Sequence, residues 1–592
     1  MSRIIRSLPL LILLAAFSAI AQTRFPAPDW KDAPDPVASP HAVVGGSISS
    51  YAGQYPPSFN YYLANNSFCA ELFGLMYETL LEMDAFSLEY TPGLAAQWTI
   101  SDDKKTFTFM LDPRALWSDG RPVTAEDVRW TYDTILDPRH TTGPHKVALE
   151  RFEPPVVQDE HTIIFTARKV HWENLGSAGG FHILPKHAFE GMDFNKINFA
   201  FPVVSGPYRL GTVREGIALQ LERRSDWWRR DHLHFRGTGN FQTLDFLFYA
   251  ERENAFEAFQ QGLIDIYPVH TARLWVSETR GERYLNNWIV KQTVQNHQPV
   301  GFQGFAMNMR RPPFNDIRVR QALAHLLDRE RMNRTLMHNQ YFLHRSFFED
   351  LYSREIPCEN PVFDLNPEKA RALLADAGWQ ANPATGLLEK DGKPFAFTFL
   401  TSDPTADNFL QIYNEDLQNA GIRMTIDRKD WAAWAKTMDE FGFDMTWAAW
   451  GAGLFKDPES MWHSAEAVRT GGNNITGFRN EEVDRLIEAQ KTIFDVQERH
   501  TICRRIDAIA TRECPYILLW NLNASRLLYW NKFGTPPTVL SRHGSDSAAR
   551  AYWWYDEDSA ADLKDAMETK APLPPRPPSV VFDDAFRPSP AP

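Results

Sequence analysis

The chain has 592 residues, a formal charge of −13, and an ordinary apolar share of 43%. That length exceeds a single hydrophobic core and calls for two or more domains. An acidic balance argues against a nucleic-acid binder, which needs a basic face. Four cysteines (Cys69, Cys358, Cys503, Cys514) in so long a chain do not make a disulfide framework, and no Cys-x-x-Cys pair points to zinc. An oxidising compartment permits a Cys503–Cys514 bridge, though no spacing demands one.

At the N-terminus two arginines precede an apolar run over residues 8–20, and Ala19-Ile20-Ala21 gives the small-x-small pattern of a cleavage site. The reading is a signal peptide over residues 1–21, cleaved after Ala21. The run is short for a membrane span, which needs about 20 apolar residues. Residue 22 is Gln, not the Cys of a lipoprotein, so the expected product is a soluble periplasmic protein. Residues 22–42, rich in Pro, Ala and Asp, read as a flexible lead.

In the body, Ser67 is placed to cap a helix whose apolar face is Phe68, Leu72, Leu75, Met76, Leu80 and Met83. Phe107, Phe109 and Leu111 alternate at strand period. Thr124 and Asp127 form a capping box before Val128, Tyr132 and Ile135. Further on, Asn366-Pro367-Glu368 reads as cap, first-turn proline and first-turn acid, with Gly378 ending that helix. Residues 395–400, 406–420 and 422–426 read as strand, helix and strand, the order of an α/β domain. Ala571-Pro-Leu-Pro-Pro-Arg-Pro-Pro opens a Pro-rich tail over 571–592, expected to be extended and unpacked.

Motifs for chemistry are missing. There is no His-Glu-x-x-His, no Gly-x-Ser-x-Gly and no phosphate-binding Gly loop. His232 with His234, and His140 with His145, are the tightest histidine spacings, but a pair is short of the three or four ligands of a stable metal site. No metal or other cofactor is expected, and no enzymatic activity.

Several separated segments resemble one family. They are Leu94-Ala-Ala-Gln-Trp-Thr-Ile-Ser-Asp-Asp-Lys-Lys-Thr-Phe-Thr-Phe, Trp117-Ser-Asp-Gly-Arg-Pro-Val-Thr-Ala-Glu-Asp-Val, Ser205-Gly-Pro-Tyr208, and the run from Met307-Asn-Met-Arg-Arg-Pro-Pro-Phe to His325. Their order is similar to that in the family-5 extracellular solute-binding proteins, the peptide receptors of ABC importers. Phe59-Asn-Tyr-Tyr and residues 80–84 look most like the YejA-type branch. The resemblance implies a type II-like periplasmic binding protein, two α/β lobes around a ligand cleft with an extra subdomain in the first lobe. The expected division is 43–305 for lobe 1 (extra subdomain about 69–200), 306–515 for lobe 2, and 516–570 returning to lobe 1. Crossings are expected near 304–309 and 515–522. Implied partners are a peptide or peptide-like ligand and the permease subunits of an importer, with the receptor a monomer. A non-peptide cargo such as an oligosaccharide is the alternative; a secreted hydrolase using an acid pair is the rival of another class.

Oligopeptide-binding members carry two cleft tryptophans nineteen residues apart, and Trp431 and Trp450 fall at that spacing. Those members have an amine-pairing Asp three residues after the second Trp and an Arg three residues before it. Here these positions are Gly453 and Trp447. Both charges are missing, which points to a ligand lacking a free N-terminus or to another acid. Asp457 is the nearest substitute, equally readable as a turn residue before Pro458.

Overall fold

The computed structural model describes residues 22–587; the signal-peptide reading and the last five residues of the tail lie outside them. Three sheets organise the chain: one of eight strands and two of five.

The eight-stranded sheet carries three neighbouring strands that run parallel, Ser47–Tyr51, Thr243–Leu247 and Ile266–Pro268. The returning strand Ser525–Trp530 sits antiparallel between Ile266–Pro268 and Ile289–Gln295. Period-2 alternation divides its side chains between two cores. Leu527 and Tyr529 join one cluster with Ile48 and Leu244, whereas Leu528 and Trp530 join Phe259 and Trp288 on the opposite face.

The second sheet contains Ala396–Thr401 and Arg423–Arg428, parallel and linked by the helix Asp407–Asn419, as the sequence predicts. Gly421 turns the chain between helix and strand at φ +78°, where a side chain would also press on the Gly386 carbonyl. Met445–Trp450 pairs with Ala396–Thr401 on one side and antiparallel with Phe302–Met307 on the other. Tyr516–Leu518 completes the sheet. The first lobe's remaining sheet joins Gln22–Phe25, Ala95–Ser101, Thr106–Leu111, Thr162–Thr166 and Val156–Asp159.

Of the segments 304–309 and 515–522, near which crossings are expected, 304–307 and 516–518 are strands of the second sheet and 520–521 pair with Phe342–Leu343. The chain passes between the eight-stranded and second sheets close by, at 296–301 and 522–524.

The local caps agree with the sequence except one. Asp127 accepts from the Thr124 amide at 2.9 Å, and Asn366 caps the Lys369 amide at 2.9 Å. The helix Ser67–Met76 is capped not by Ser67 but by Asn66, whose side chain accepts from Cys69 N–H at 2.9 Å.

Both ends depart from the flexible reading. Gln22–Phe25 is an edge strand on Ala95–Ser101, and Asp35 is buried, accepting from the Tyr552 hydroxyl at 2.7 Å. The Pro-rich tail adds Ser579–Val581 as a parallel edge strand on Ile289–Gln295. The Trp288 indole donates to the Ala571 carbonyl at 2.9 Å, and Gln292 to Pro577 at 2.8 Å. Proline lacks the N–H a central strand needs, but its carbonyl still accepts, so such a segment docks at an edge.

All four cysteines are free. Cys503 lies within the helix Val496–Glu513 and Cys514 is its left-handed C-cap. Eleven residue steps of helical rise separate them by roughly 16 Å, beyond disulfide reach.

Candidate functional site

In α/β sheets ligands bind beyond the carboxyl ends of the parallel strands. The connections at 296–301 and 522–524 join the sheets at those ends. Phe302, first in its strand, pairs with Trp450, last in its own, and Pro268 pairs with Leu527 near the start of the returning strand. The rims that face each other are therefore Tyr51, Tyr249 and His270 in the first lobe, and Trp431 and Trp450–Gly453 in the second.

On the second rim, only Met445 and Thr446 of the strand Met445–Trp450 pair with Ala396–Thr401. From Trp447 to Trp450 the strand is paired on its other edge alone, by Phe302–Phe305. An unpaired edge offers backbone donors and acceptors to an extended chain. On the paired side of the same strand, Gly301 lets the crossing chain come close, since a Cβ there would overlap the Trp450 carbonyl oxygen.

Alternation sends the two strand tryptophans to opposite faces. Trp447 packs at 5.5 Å from Phe305 and Phe409 and 5.7 Å from Trp520, and its indole donates to Gln303 at 2.9 Å. Trp450 is half-buried against the other cluster, on which Trp434 also packs. Trp431 starts the helix Trp431–Asp439, is 69% exposed, and stacks on Trp434 with centroids 4.9 Å apart. So large an exposed indole beside a rim is open surface for a planar or apolar ligand group.

The loop 451–458 hangs from a buried residue the sequence reading missed. Lys456 is 5% exposed, and its ammonium donates to Asp350 at 2.5 Å and to the Gly453 carbonyl at 3.0 Å. Gly453 itself is exposed. Asp457 accepts from the Glu459 amide at 3.0 Å, starting the short helix Glu459–Trp462, and from Gln490 at 3.4 Å. Asp457 keeps contact with solvent, yet protein crowds it from most sides. That desolvation pushes its carboxyl up to about 6; the Glu459 amide opposes, while Glu173 and Glu459 add to the rise and Arg151 offsets it.

The first rim was not read from the sequence. The Tyr51 hydroxyl donates to the Tyr249 carbonyl at 3.3 Å, and Arg252 lies 5.5 Å over the Tyr51 ring. The His270 carbonyl accepts from the second-lobe Tyr341 hydroxyl at 2.6 Å. Burial lowers the His270 imidazole, with Arg252 and Arg526 adding to the effect and Asp546 opposing it. The only available signal was placement, since these residues end strands or start a helix.

Among the described residues no cluster of His, Cys, Asp and Glu could hold a metal. His140 and His145 each bond a backbone carbonyl, of Thr134 at 2.8 Å and Tyr61 at 3.1 Å. No helix of the described residues is long and apolar enough to cross a membrane.

Two α/β lobes with facing strand-end rims define a type II periplasmic binding protein fold. The oligopeptide-binding protein AppA from Bacillus subtilis, solved in complex with a nonapeptide, superposes with a TM-score of 0.67 at 21% identity, covering 87% of this chain and all of that one. A probable peptide-binding protein YejA from Agrobacterium fabrum is 27% identical over 78% of this chain and 82% of its own length. The peptidoglycan-binding protein YepA of the same organism is 26% identical over 86% and 87%. The model of the bacterial extracellular solute-binding proteins, family 5, matches residues 89–472, more than half of the chain. The chain belongs to that family.

Proposed function

We propose that the chain is the periplasmic receptor of an ABC importer and captures peptides or peptide-like ligands between its lobes. N-blocked and cell-wall-derived peptides are included in that class. The observation that carries this reading is the strand edge at Trp447–Trp450, unpaired beyond Thr446 on the rim that faces the other lobe. Such an edge holds a main chain by hydrogen bonds while leaving its side chains loosely specified. Relatives named as peptide-binding and peptidoglycan-binding proteins support the ligand class. The lobes would close by hinging at 296–301 and 522–524. Capture needs no chemistry at the ligand, so the protein acts as a binding monomer delivering cargo unchanged to the permease.

Mass spectrometry of ligands released from protein purified from its own periplasm tests this. Peptides or muropeptide fragments recovered intact support the reading. A sugar without peptide, or a hydrolysed product accumulating on incubation, overturns it. The same preparation should begin at Gln22.

A further inference from the structure

We infer that residues 169–173 form a clasp that holds the two lobes shut, with Trp172 as its positioning residue. The inference rests on the proposed capture by lobe closure and adds to it a contact between the lobes outside the connections at 296–301 and 522–524.

Trp172 follows the strand Thr162–Thr166 of the first lobe, yet most of its partners belong to the second. Its amide donates to the Lys491 carbonyl at 2.9 Å. Its ring stands edge-on to Phe455 at 6.1 Å, and the Arg499 guanidinium lies 4.1 Å over it. Lys491 is the C-cap of the helix Glu481–Gln490, whose last carbonyls have no partner within the helix. The first lobe thus supplies a donor to a helix-end carbonyl of the second. Arg499 is held for the contact, since its Nη1 donates to the Ile493 and Phe494 carbonyls at 2.9 and 3.0 Å. A guanidinium fixed in this way over an indole is a cation–π pair.

The first-lobe side is braced as well. Arg151 bonds Glu173 at 2.5 Å, the Glu173 amide donates to His171 Nδ1 at 3.1 Å, and the His171 ring stacks on Trp172 at 5.8 Å. Burial, reinforced by Arg151, Lys491 and Arg499, brings His171 down to about 4, so the imidazole is neutral and can accept at Nδ1. The Trp172 Nε1 is buried without an acceptor, which charges a cost to the closed state. A clasp with gains and a built-in cost can reopen, as a receptor that hands over its cargo must.

The seat of the clasp is also the ligand loop. Phe455 belongs to the segment 451–458 that Lys456 ties down, five residues beyond Trp450.

Small-angle scattering on the ligand-stripped full chain tests the clasp, comparing wild type with Trp172→Ala and Arg499→Met. Both variants are expected to expand, Trp172→Ala the more, with a rise in radius of gyration on the order of 1 Å, as hinge opening produces. Faster amide exchange in 451–458 should accompany it while exchange in the first-lobe strand Thr106–Leu111 stays unchanged. If Trp172→Ala fails to fold, Arg499→Met decides alone, because it leaves the first lobe intact. Scattering curves that superpose for variants and wild type overturn the clasp even if peptides bind. Failure to retain any peptide would overturn the receptor reading and leave the scattering result standing.

Discussion

Lys456→Met is the most informative single change near the ligand loop. It keeps the aliphatic stem and removes the ammonium that joins Asp350 at 2.5 Å to the Gly453 carbonyl at 3.0 Å. Breaking a fully buried ion pair by removing one partner costs about 3–5 kcal/mol. Here the Lys456 side chain is 4% exposed but Asp350 is 23% exposed, so the stranded carboxylate recovers part of its hydration. A loss of roughly 2 kcal/mol is therefore expected, which for a lobe of this size lowers its melting temperature by about 4–8 °C. Ligand affinity should fall by about two- to tenfold as well, since binding must now order the loop. Calorimetric melting and titration with a copurified peptide measure both. Lys456→Met with Asp350→Asn should recover part of the stability, because no charge is then left unpaired. An unchanged melting temperature for the single variant would show that Lys456 does not hold the loop.

Trp450→Ala should weaken all ligands by roughly 1–3 kcal/mol through lost apolar contact, whereas Trp447→Ala, stripping a ring from Phe305, Phe409 and Trp520, should cost about 2–4 kcal/mol of stability; titration and melting separate the two. On the resemblance to oligopeptide-binding members, which implies that Gly453 replaces an amine-pairing acid, acetylating the N-terminus of a good peptide should cost less than about 1 kcal/mol by calorimetry. A hundredfold loss would instead assign the pairing to another acid, with Asp457→Asn the variant to make next. Glu78 is pushed up to about 7 by burial, because the neighbouring Arg229 is shared with Glu82. The folded chain therefore binds a proton that the unfolded chain releases between pH 4.5 and 7. Stability from this group falls as pH rises through that window, and Glu78→Gln should flatten the slope, as denaturant titrations at pH 5 and pH 7.5 would reveal.

Much of the local architecture was legible because its code is local. Thr124–Asp127, Asn366-Pro367 and the strand–helix–strand of 396–428 each depend on residues within a turn or two. What was misread depends on distant partners. The lead and the Pro-rich tail look unpacked by composition, yet Asp35 meets Tyr552 and Pro577 meets Gln292, contacts that no window of sequence contains. Residues 304–306 and 516–518 pair with each other in the second sheet, and the passages between sheets lie close by, at 296–301 and 522–524. The rim at Tyr51 and His270, and Lys456 under the loop, carry no motif; topology alone brings them to the cleft.

The family was recognisable while its cargo was not, and the burial of the recognised residues explains why. Within the shared segments Trp98, Phe107, Phe109, Trp117 and Val128 are core side chains, and Gly206 sits where a Cβ would press on the Leu75 carbonyl at 2.6 Å. Phe314, Val319 and Leu323 of the later segment are core as well. Such residues are constrained by packing, so their order reports the scaffold. The residues that face a ligand stand on strand ends and loops, where packing constrains little. Exposed Trp431 and Gly453 stand in such places, whereas Trp447 is held by Phe305, Phe409 and Trp520. The main-chain edge at 447–450 keeps its geometry whatever side chains it bears, which suits extended peptides as a class. On the proposed reading, selection among them falls to side chains around that edge, where the exposed Trp431 indole favours apolar and planar groups.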